Sequence, residues 1–188
     1  FLNGMFAFAI LDLNKRVLFL ARDRLGQKPL YYFRKDGIFA FASELAALRR
    51  FKEFPSAKNL QALHHYFSLQ YIPSPMTAYN DVFKLPPGHY LELDMNSNVV
   101  NSSRYWGLDF SIKQGITEEE ASMRLYDLLI DSVSLRLVSD VPIGTFLSGG
   151  VDSSIITAIM SDLGVSPLRT FTVGFSEKLY DERYRARR

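Results

Sequence analysis

The stretch from Ser148 to Ser154, Ser-Gly-Gly-Val-Asp-Ser-Ser, combines residue types that can hold an anion. Gly149 and Gly150 let the backbone approach a ligand more closely than a side chain would permit. The serine hydroxyls are hydrogen-bond donors, and the start of a following helix adds free N–H groups and a positive dipole end. This combination favours the binding of phosphate or pyrophosphate.

Asp152 is the acidic residue of this stretch. A carboxylate beside a phosphate is favourable when a divalent cation lies between them, so we predict that Asp152 binds magnesium. The competing interpretation is a plain Ser-Gly-Gly turn, with Asp152 favoured only by the helix dipole. The order of all seven residues between a predicted strand and a predicted helix favours phosphate binding. The stretch is neither a Walker A sequence nor a GxGxxG sequence.

The elements around this stretch are predicted to form a β-loop-α-β unit. Residues 141–147 read as a short apolar strand, 153–163 as a helix and 168–175 as a second strand. This order is that of a crossover unit in a parallel sheet. Upstream, Thr117 and Glu120 have the spacing of a capping box, which predicts the start of a long amphipathic helix. The second half of the chain is therefore predicted to be α/β.

The first half of the chain is rich in short aromatic and aliphatic runs, which are typical of strands. These runs cover residues 4–12, 16–23, 29–33 and 38–44. Asn14 with Lys15, and Asp36 with Gly37, stand where antiparallel strands would turn, so we predict hairpins. The first run is apolar on both faces, which predicts a sheet that is covered on both sides.

Two helices and another strand complete the predicted elements of the first half. The helices cover residues 43–50 and about 59–69, and the second has apolar residues at helical spacing. A Pro-Pro-Gly turn at 86–88 leads into the strand, so this half is predicted to be α+β. The pattern changes near Gly107, and we expect two separate cores that meet at residues 106–111.

Composition excludes several classes of protein. The 188 residues carry 22 Lys and Arg against 20 Asp and Glu, so the net charge of +2 predicts neither a nucleic-acid nor a membrane partner. The chain has no cysteine, which excludes disulfides and a cysteine nucleophile within it. It lacks a bilayer-spanning run and a signal peptide, so a cytoplasmic location is expected. Because it begins at Phe1 and ends in a charged segment, we interpret it as a fragment of a longer protein.

Residues 148–154 resemble the PP-loop of ATP pyrophosphatases. Together with further motifs, they make nearly the whole chain resemble the glutamine-hydrolysing asparagine synthetases. The motifs, in chain order, are Asn3-Gly-Met-Phe-Ala-Phe-Ala9, Ala21-Arg-Asp-Arg-Leu-Gly26 with Lys28-Pro-Leu-Tyr31, Phe41-Ala-Ser-Glu44, Leu85-Pro-Pro-Gly-His89, Arg136-Leu-Val-Ser-Asp-Val-Pro142, Phe146-Leu-Ser-Gly-Gly-Val-Asp-Ser-Ser154 and Tyr180-Asp-Glu182.

The resemblance implies two domain portions. Residues 1–106 would be the C-terminal part of a type 2 glutamine amidotransferase domain, an antiparallel-sheet N-terminal-nucleophile glutaminase. Residues 107–188 would open a parallel-sheet PP-loop ATP pyrophosphatase domain. The parent would release ammonia from glutamine, adenylate aspartate with ATP and Mg2+, and form asparagine with release of AMP and pyrophosphate. Its partners would thus be glutamine, aspartate and ATP, and a homodimer of the full-length protein is compatible with this implication.

The resemblance also assigns site residues. Asp23 matches the aspartate that binds the amino group of glutamine, whereas its residue type and position between Arg22 and Arg24 alone favour a turn-forming residue. The positions that match contacts to ATP and pyrophosphate are Leu147, Ser148, Gly149, Gly150, Val151, Asp152, Ser153, Ser154 and Val173. The nucleophile of the family is an N-terminal cysteine, so no catalytic residue is assigned, and these 188 residues are expected to be inactive alone.

Two alternatives stay open at the level of sequence. The first is a related PP-loop amidotransferase that acts on a different acceptor, in β-lactam synthesis or in modification of surface polysaccharides. The second is a non-catalytic scaffold fragment with a glycine turn and no bound nucleotide.

Overall fold

The computed structural model describes residues 2–111, 115–179 and 181–187, and the chain divides into two compact units after Ser111. Phe1 and Tyr180, both named in the sequence analysis, lie outside the described residues. Across the described part of the chain, no helix has the length and apolar character needed to cross a membrane.

The first unit, in its described residues, contains seven strands and two helices. In chain order these are β1 Ala7–Asp12, β2 Val17–Arg22, β3 Tyr31–Lys35, β4 Ile38–Ala42, α1 Leu45–Leu48, α2 Leu60–Leu69, β5 Val82–Lys84, β6 His89–Asp94 and β7 Val99–Arg104. The strands form a four-stranded sheet in the order β1-β2-β6-β7 and a three-stranded sheet in the order β4-β3-β5. All pairings are antiparallel, as an α+β unit built from hairpins predicts.

The hairpin between β3 and β4 turns where the sequence predicts. Lys35 pairs with Ile38, so Asp36 and Gly37 form a two-residue loop. Both loop residues have positive φ angles, 51° and 77°, as a type I′ turn requires. At the turn after β1, the Asp12 carboxylate accepts hydrogen bonds from the following backbone amides, which stabilises that turn. Local turn chemistry therefore fixes both connections.

The core of the first unit consists of two apolar clusters. The first joins Leu20, Leu91 and Leu93 of the four-stranded sheet to partly buried side chains of the three-stranded sheet. The second covers the opposite face of the three-stranded sheet and contains Phe33 with Leu48 of α1. The three-stranded sheet is thus buried on the face that carries Phe33 and only partly covered on the other face, where Phe41 is 38% and Phe83 is 37% exposed.

The prediction that β1 would be covered on both faces is wrong for the described structure. Ile10 is 56% exposed and Leu11 is 50% exposed, although they point to opposite faces of the strand. β1 lies at the edge of the four-stranded sheet, and neither side chain belongs to an apolar cluster of the described residues. An apolar pattern shows which faces of a strand could be buried. Whether they are buried depends on the elements that pack against them.

The second unit contains the predicted crossover. Its described elements are α3 Glu118–Arg136, β8 Gly144–Phe146, α4 Val151–Asp162, β9 Arg169–Phe171 and α5 Arg183–Ala186. Strands β8 and β9 pair in parallel, with α4 as the connecting helix. Val133 of α3 packs against Ile159 and Met160 of α4 to form the core of this unit. The α/β pattern of the second half is therefore observed.

The capping box at the start of α3 gives a first testable prediction. Thr117 Oγ1 accepts from the Glu120 amide at 3.2 Å, and the Glu120 carboxylate accepts from the Thr117 amide at 3.1 Å. Thr117→Ala should lower the unfolding free energy of the second unit by about 1 kcal/mol, because it leaves helix donors unpaired. Chemical denaturation followed by circular dichroism measures this. Thr117→Ser, which keeps the hydroxyl, should match the wild type, and equal stability of the alanine variant would contradict the prediction.

Candidate functional site

The loop at 147–150 lies at the carboxyl ends of the two parallel strands of the second unit. The Leu147 amide donates to the Phe171 carbonyl at 2.9 Å. The Thr172 hydroxyl donates to the Leu147 carbonyl at 2.7 Å. Ligands of open α/β sheets bind beyond the carboxyl ends of the strands, which is where these bonds place the loop.

Two serine hydroxyls organise this loop from within. Ser153 Oγ accepts from the Ser148 amide at 3.2 Å and lies 3.0 Å from Ser148 Oγ. Ser148 Oγ in turn accepts from the Gly150 amide at 3.3 Å. The hydroxyls therefore hold the loop against the start of α4. Both hydroxyls were predicted to bind a ligand, and in this structure they form hydrogen bonds within the loop instead.

The geometry of the loop requires glycine at position 149. Gly149 has a φ of +75°, and a Cβ built there would lie 2.5 Å from Cβ of Arg185 in α5. Gly150 is the N-cap of α4 and offers no side chain to cap the helix. The N–H groups of the first turn of α4 therefore receive no side-chain acceptor from the N-cap residue. Such groups, together with the helix dipole, suit an anion.

The structure gathers the predicted nucleotide contacts at one edge of the second unit. Asp152 is the second residue of α4 and is exposed, as are Val151 and Ser154. Val173 is 60% exposed and directly follows Thr172, which is bonded to the loop. Sequence reasoning missed Thr172, for which the only available signal was its position beside the matched Val173.

The described residues include no group of three or more His, Cys, Asp or Glu side chains that could hold a metal ion. Asp152 alone therefore cannot form a protein cage for magnesium. Magnesium commonly keeps several waters and binds through one or two carboxylates together with substrate phosphates. A single exposed carboxylate beside a phosphate-binding loop is compatible with that mode of binding.

Asp23 organises a turn in the first unit. The residue is 1% exposed, and its Oδ1 accepts from the amides of Leu25 at 3.1 Å and Gln27 at 2.9 Å. Its Oδ2 accepts from the Lys28 amide at 2.9 Å. Burial raises the pKa of Asp23, but these hydrogen bonds and a further one with the backbone of Phe6 outweigh it, so the pKa lies below the usual value. The turn-forming interpretation of Asp23 is thus observed, and its contact with glutamine stays a prediction.

Arg22 holds the same loop from the other side, and sequence reasoning missed this. Its guanidinium donates from Nε to the Lys28 carbonyl at 2.7 Å and from Nη2 to the Gly26 carbonyl at 2.6 Å. Its Nη1 donates to the Leu85 carbonyl at 2.7 Å. Burial lowers the pKa of Arg22, and the neighbouring Asp23 carboxylate opposes that shift. Arg22 thereby ties the loop to the Pro-Pro-Gly turn.

Family models identify the class of protein to which the two units correspond. Residues 1–106 match the glutamine amidotransferase domain, and residues 124–188 match asparagine synthase. The first match covers more than half of the chain, and the chain belongs to the glutamine amidotransferase domain family.

Individual relatives show more specifically which enzymes the chain resembles. A Methanocaldococcus jannaschii protein named putative asparagine synthetase (glutamine-hydrolyzing) 2 is 41% identical over 187 residues, 96% of this chain and 35% of the relative. A Bacillus subtilis protein named asparagine synthetase (glutamine-hydrolyzing) 3 is 36% identical over 181 residues, 94% of this chain and 29% of the relative. The resemblance to glutamine-hydrolysing asparagine synthetases is confirmed, and the chain spans about a third of the length of these relatives.

A third relative has a different name. The Penicillium rubens protein named amidase chyE is 32% identical over 165 residues, which is 86% of this chain and 24% of the relative. A sequence similar to most of this chain thus occurs in a protein whose name does not refer to asparagine. Membership of the family therefore does not identify the molecule that accepts the nitrogen.

Proposed function

We propose that the protein containing this chain is a glutamine-dependent asparagine synthetase. It uses ATP to join nitrogen from glutamine to aspartate and releases AMP and pyrophosphate. The observation that supports the proposal is the loop at 147–154, which resembles a PP-loop and is held by its own serines at the carboxyl ends of β8 and β9, beside the start of α4. The relatives named asparagine synthetase support the choice of nitrogen donor and acceptor.

The proposed chemistry begins with adenylation of aspartate. A carboxylate oxygen of aspartate attacks the α-phosphorus of ATP, and the bond to the β-phosphate oxygen breaks to release pyrophosphate. The first-turn amides of α4 and the Gly149–Gly150 backbone donate to the phosphate oxygens and stabilise the charge on the leaving group. Magnesium bound by Asp152 and the phosphates would neutralise part of that charge. Ammonia then attacks the acyl carbon of the aspartyl adenylate, and AMP leaves.

In the first unit, we propose that Asp23 binds the amino group of glutamine. A carboxylate offers about four lone-pair positions, and the backbone occupies three of them. Asp23 is 1% exposed, so an ammonium group would form a charge-assisted hydrogen bond with Oδ2 only after the loop opens. Asp23 would then orient glutamine, while the nucleophile comes from a part of the protein outside these 188 residues.

The 188-residue chain alone should not hydrolyse glutamine. Amide hydrolysis in this family requires attack by a cysteine thiolate, and the chain has no cysteine. Glutamate release from glutamine, measured with and without ATP, should equal the buffer control. Activity that survives repurification and disappears in Asp23→Ala would reveal an unrecognised nucleophile and contradict the prediction.

A titration separates the proposed enzyme from a scaffold. Calorimetric titration of the intact protein with magnesium pyrophosphate should show binding that is lost in Asp152→Ala. Asp162→Ala is the matched control, because Asp162 is an exposed acid at the other end of the same helix, and it should bind like the wild type. An absence of binding by the wild-type protein would favour the scaffold.

The relative named amidase chyE favours one alternative, in which the acceptor is not aspartate. Pyrophosphate release measured with L-aspartate and with a panel of other carboxylic acids separates the two proposals. Stimulation by L-aspartate supports asparagine synthesis, whereas stimulation by another acid supports the alternative.

Location and assembly remain predictions. We propose a cytoplasmic protein that acts on small molecules without nucleic-acid or membrane partners, and a homodimer as its assembly. Light scattering of the intact protein after size-exclusion chromatography measures the assembly, and cell fractionation measures the location.

A further inference from the structure

We propose that Asp181 and Arg183 are positioning residues for the loop at 147–154, because they fix the segment 181–186 that lies against it. This inference rests on the proposed binding of ATP and pyrophosphate by that loop. The segment contains α5, which is a single helical turn of four residues. One turn of helix has little stability of its own, so the place of α5 depends on its side-chain contacts.

The backbone of α5 lies directly against the glycine turn of the loop. A Cβ built on Gly149 would lie 2.6 Å from the carbonyl carbon of Arg185 and 2.7 Å from the amide nitrogen of Ala186. Backbone atoms cannot rotate away as a side chain can, so a movement of α5 changes the space that Gly149 occupies. The backbone of Gly149 is among the groups proposed to donate to phosphate, and this contact therefore joins α5 to the proposed phosphate site.

Arg183 of the same helix lies against a second part of the proposed site. A Cβ built on Gly174 would lie 2.5 Å from Nε and 2.6 Å from Cδ of Arg183, so this side chain packs on the backbone of Gly174. Gly174 directly follows Val173, one of the predicted nucleotide contacts. The segment 181–186 therefore contacts two parts of the proposed site, the turn at Gly149 and the chain that follows β9.

Asp181 fixes the guanidinium of Arg183. Arg183 Nε donates to Asp181 Oδ1 at 2.8 Å and Arg183 Nη2 donates to Asp181 Oδ2 at 2.8 Å, so the pair is bidentate. Nη2 also donates to the Phe175 carbonyl at 3.3 Å, which ties the pair to the residue after Gly174. The hydrogen bonds from Arg183 lower the pKa of Asp181 to about 2, so the carboxylate is ionised at neutral pH. Because Arg183 is 52% exposed and Asp181 is 22% exposed, we expect a modest effect that depends on geometry.

Positioning and simple charge attraction predict opposite effects for Asp181→Asn. If Arg183 acted only by attracting an anion, removal of the neighbouring negative charge would strengthen pyrophosphate binding. If the pair positions the loop, the same substitution loosens Arg183 and weakens binding. Arg183→Lys gives a second comparison, since it keeps the positive charge but replaces the planar, bidentate group with a single ammonium nitrogen.

The test measures ATP–pyrophosphate exchange kinetics and magnesium pyrophosphate binding in the intact protein. Asp181→Asn and Arg183→Lys should each raise the KM for ATP and the dissociation constant of pyrophosphate about fivefold, which is the factor expected for an exposed but well-formed ion pair. The kcat should stay within about twofold of the wild type, because a contact made equally in ground and transition states changes KM alone. A variant with both substitutions should resemble the single variants, since either one removes the same pair.

Glu177→Gln is the matched control, because Glu177 is an exposed acid close by in the chain that accepts a hydrogen bond from the Ser176 hydroxyl. It removes the same charge as Asp181→Asn and should change the KM by less than about twofold. Tighter pyrophosphate binding by Asp181→Asn, or an unchanged KM in both Asp181→Asn and Arg183→Lys, would overturn the inference. A fall in kcat with an unchanged KM would also overturn it, because it would indicate a loss of folded protein. A wild-type protein that does not bind magnesium pyrophosphate would instead refute the proposed function itself.

Discussion

Replacement of Asp152 by alanine is expected to lower ATP–pyrophosphate exchange by at least about a thousandfold in the intact protein, which corresponds to about 4 kcal/mol. Asp152 is an exposed acid in the first turn of α4, beside a loop whose glycines and free amides suit phosphate. Without its carboxylate, the charge on the departing pyrophosphate loses the metal contact that we propose. Exchange of labelled pyrophosphate into ATP with L-aspartate present measures the effect.

Two controls accompany that measurement. Asp162→Ala removes an acid from the last residue of the same helix and should leave the exchange rate unchanged. Glutamine hydrolysis by Asp152→Ala should also remain near the wild-type rate, because the proposed glutamine contact lies in the first unit. Full exchange activity in Asp152→Ala would refute the assigned role, and equal loss of both activities would indicate a folding defect instead.

Asp23→Asn should lower the unfolding free energy of the first unit by about 2–4 kcal/mol, because it removes charge-assisted hydrogen bonds from a buried group. Asparagine keeps one oxygen for the amides of Leu25 and Gln27, but its NH2 group would face the Lys28 amide, which bonds to the other oxygen. The asparagine NH2 group and the Lys28 N–H are both donors, so the hydrogen bond to Lys28 is lost. Urea denaturation of the chain at neutral pH measures the loss.

Asp12→Asn is a matched control for this prediction. The Asp12 carboxylate also accepts two backbone amides, but both bond to the same oxygen, Oδ1. Asparagine can therefore keep both bonds, and the variant should lose less than about 1 kcal/mol. Equal losses in the two variants would show that charge alone, rather than the use of both oxygens, makes Asp23 stabilising.

The stabilisation by Asp23 should depend on pH in a known direction. Since the folded-state pKa of Asp23 is lowered, its contribution is complete above the unfolded-state pKa of about 3.9 and is lost as the pH falls through the folded value. The stability difference between wild type and Asp23→Asn should therefore be constant near neutral pH and shrink below about pH 4. A difference that grows on acidification would contradict the lowered pKa.

Local chemistry explains which features of the fold the sequence predicts. The Asp36-Gly37 hairpin and the Thr117–Glu120 capping box depend on residues at most three positions apart, and both are observed. The β-loop-α-β order also follows from local patterns, and β8 and β9 pair in parallel as expected. The turn, the cap and the order of the elements need no information about distant parts of the chain.

The features that sequence reasoning missed depend on distant contacts. Arg22 reaches the Leu85 carbonyl 63 positions further along the chain, and no spacing rule connects the two residues. The bond from Thr172 to Leu147 crosses 25 positions and exists only because β8 and β9 are neighbours. The exposure of Ile10 likewise depends on which elements pack against β1.

Transfer of labelled nitrogen is the most direct test of the proposed function. The intact protein would be incubated with amide-15N-glutamine, L-aspartate, ATP and magnesium, and the products would be identified by mass spectrometry. We predict 15N-labelled asparagine together with AMP and pyrophosphate in equal amounts. Release of labelled ammonia without asparagine, or formation of ADP and phosphate in place of AMP and pyrophosphate, would contradict the proposal.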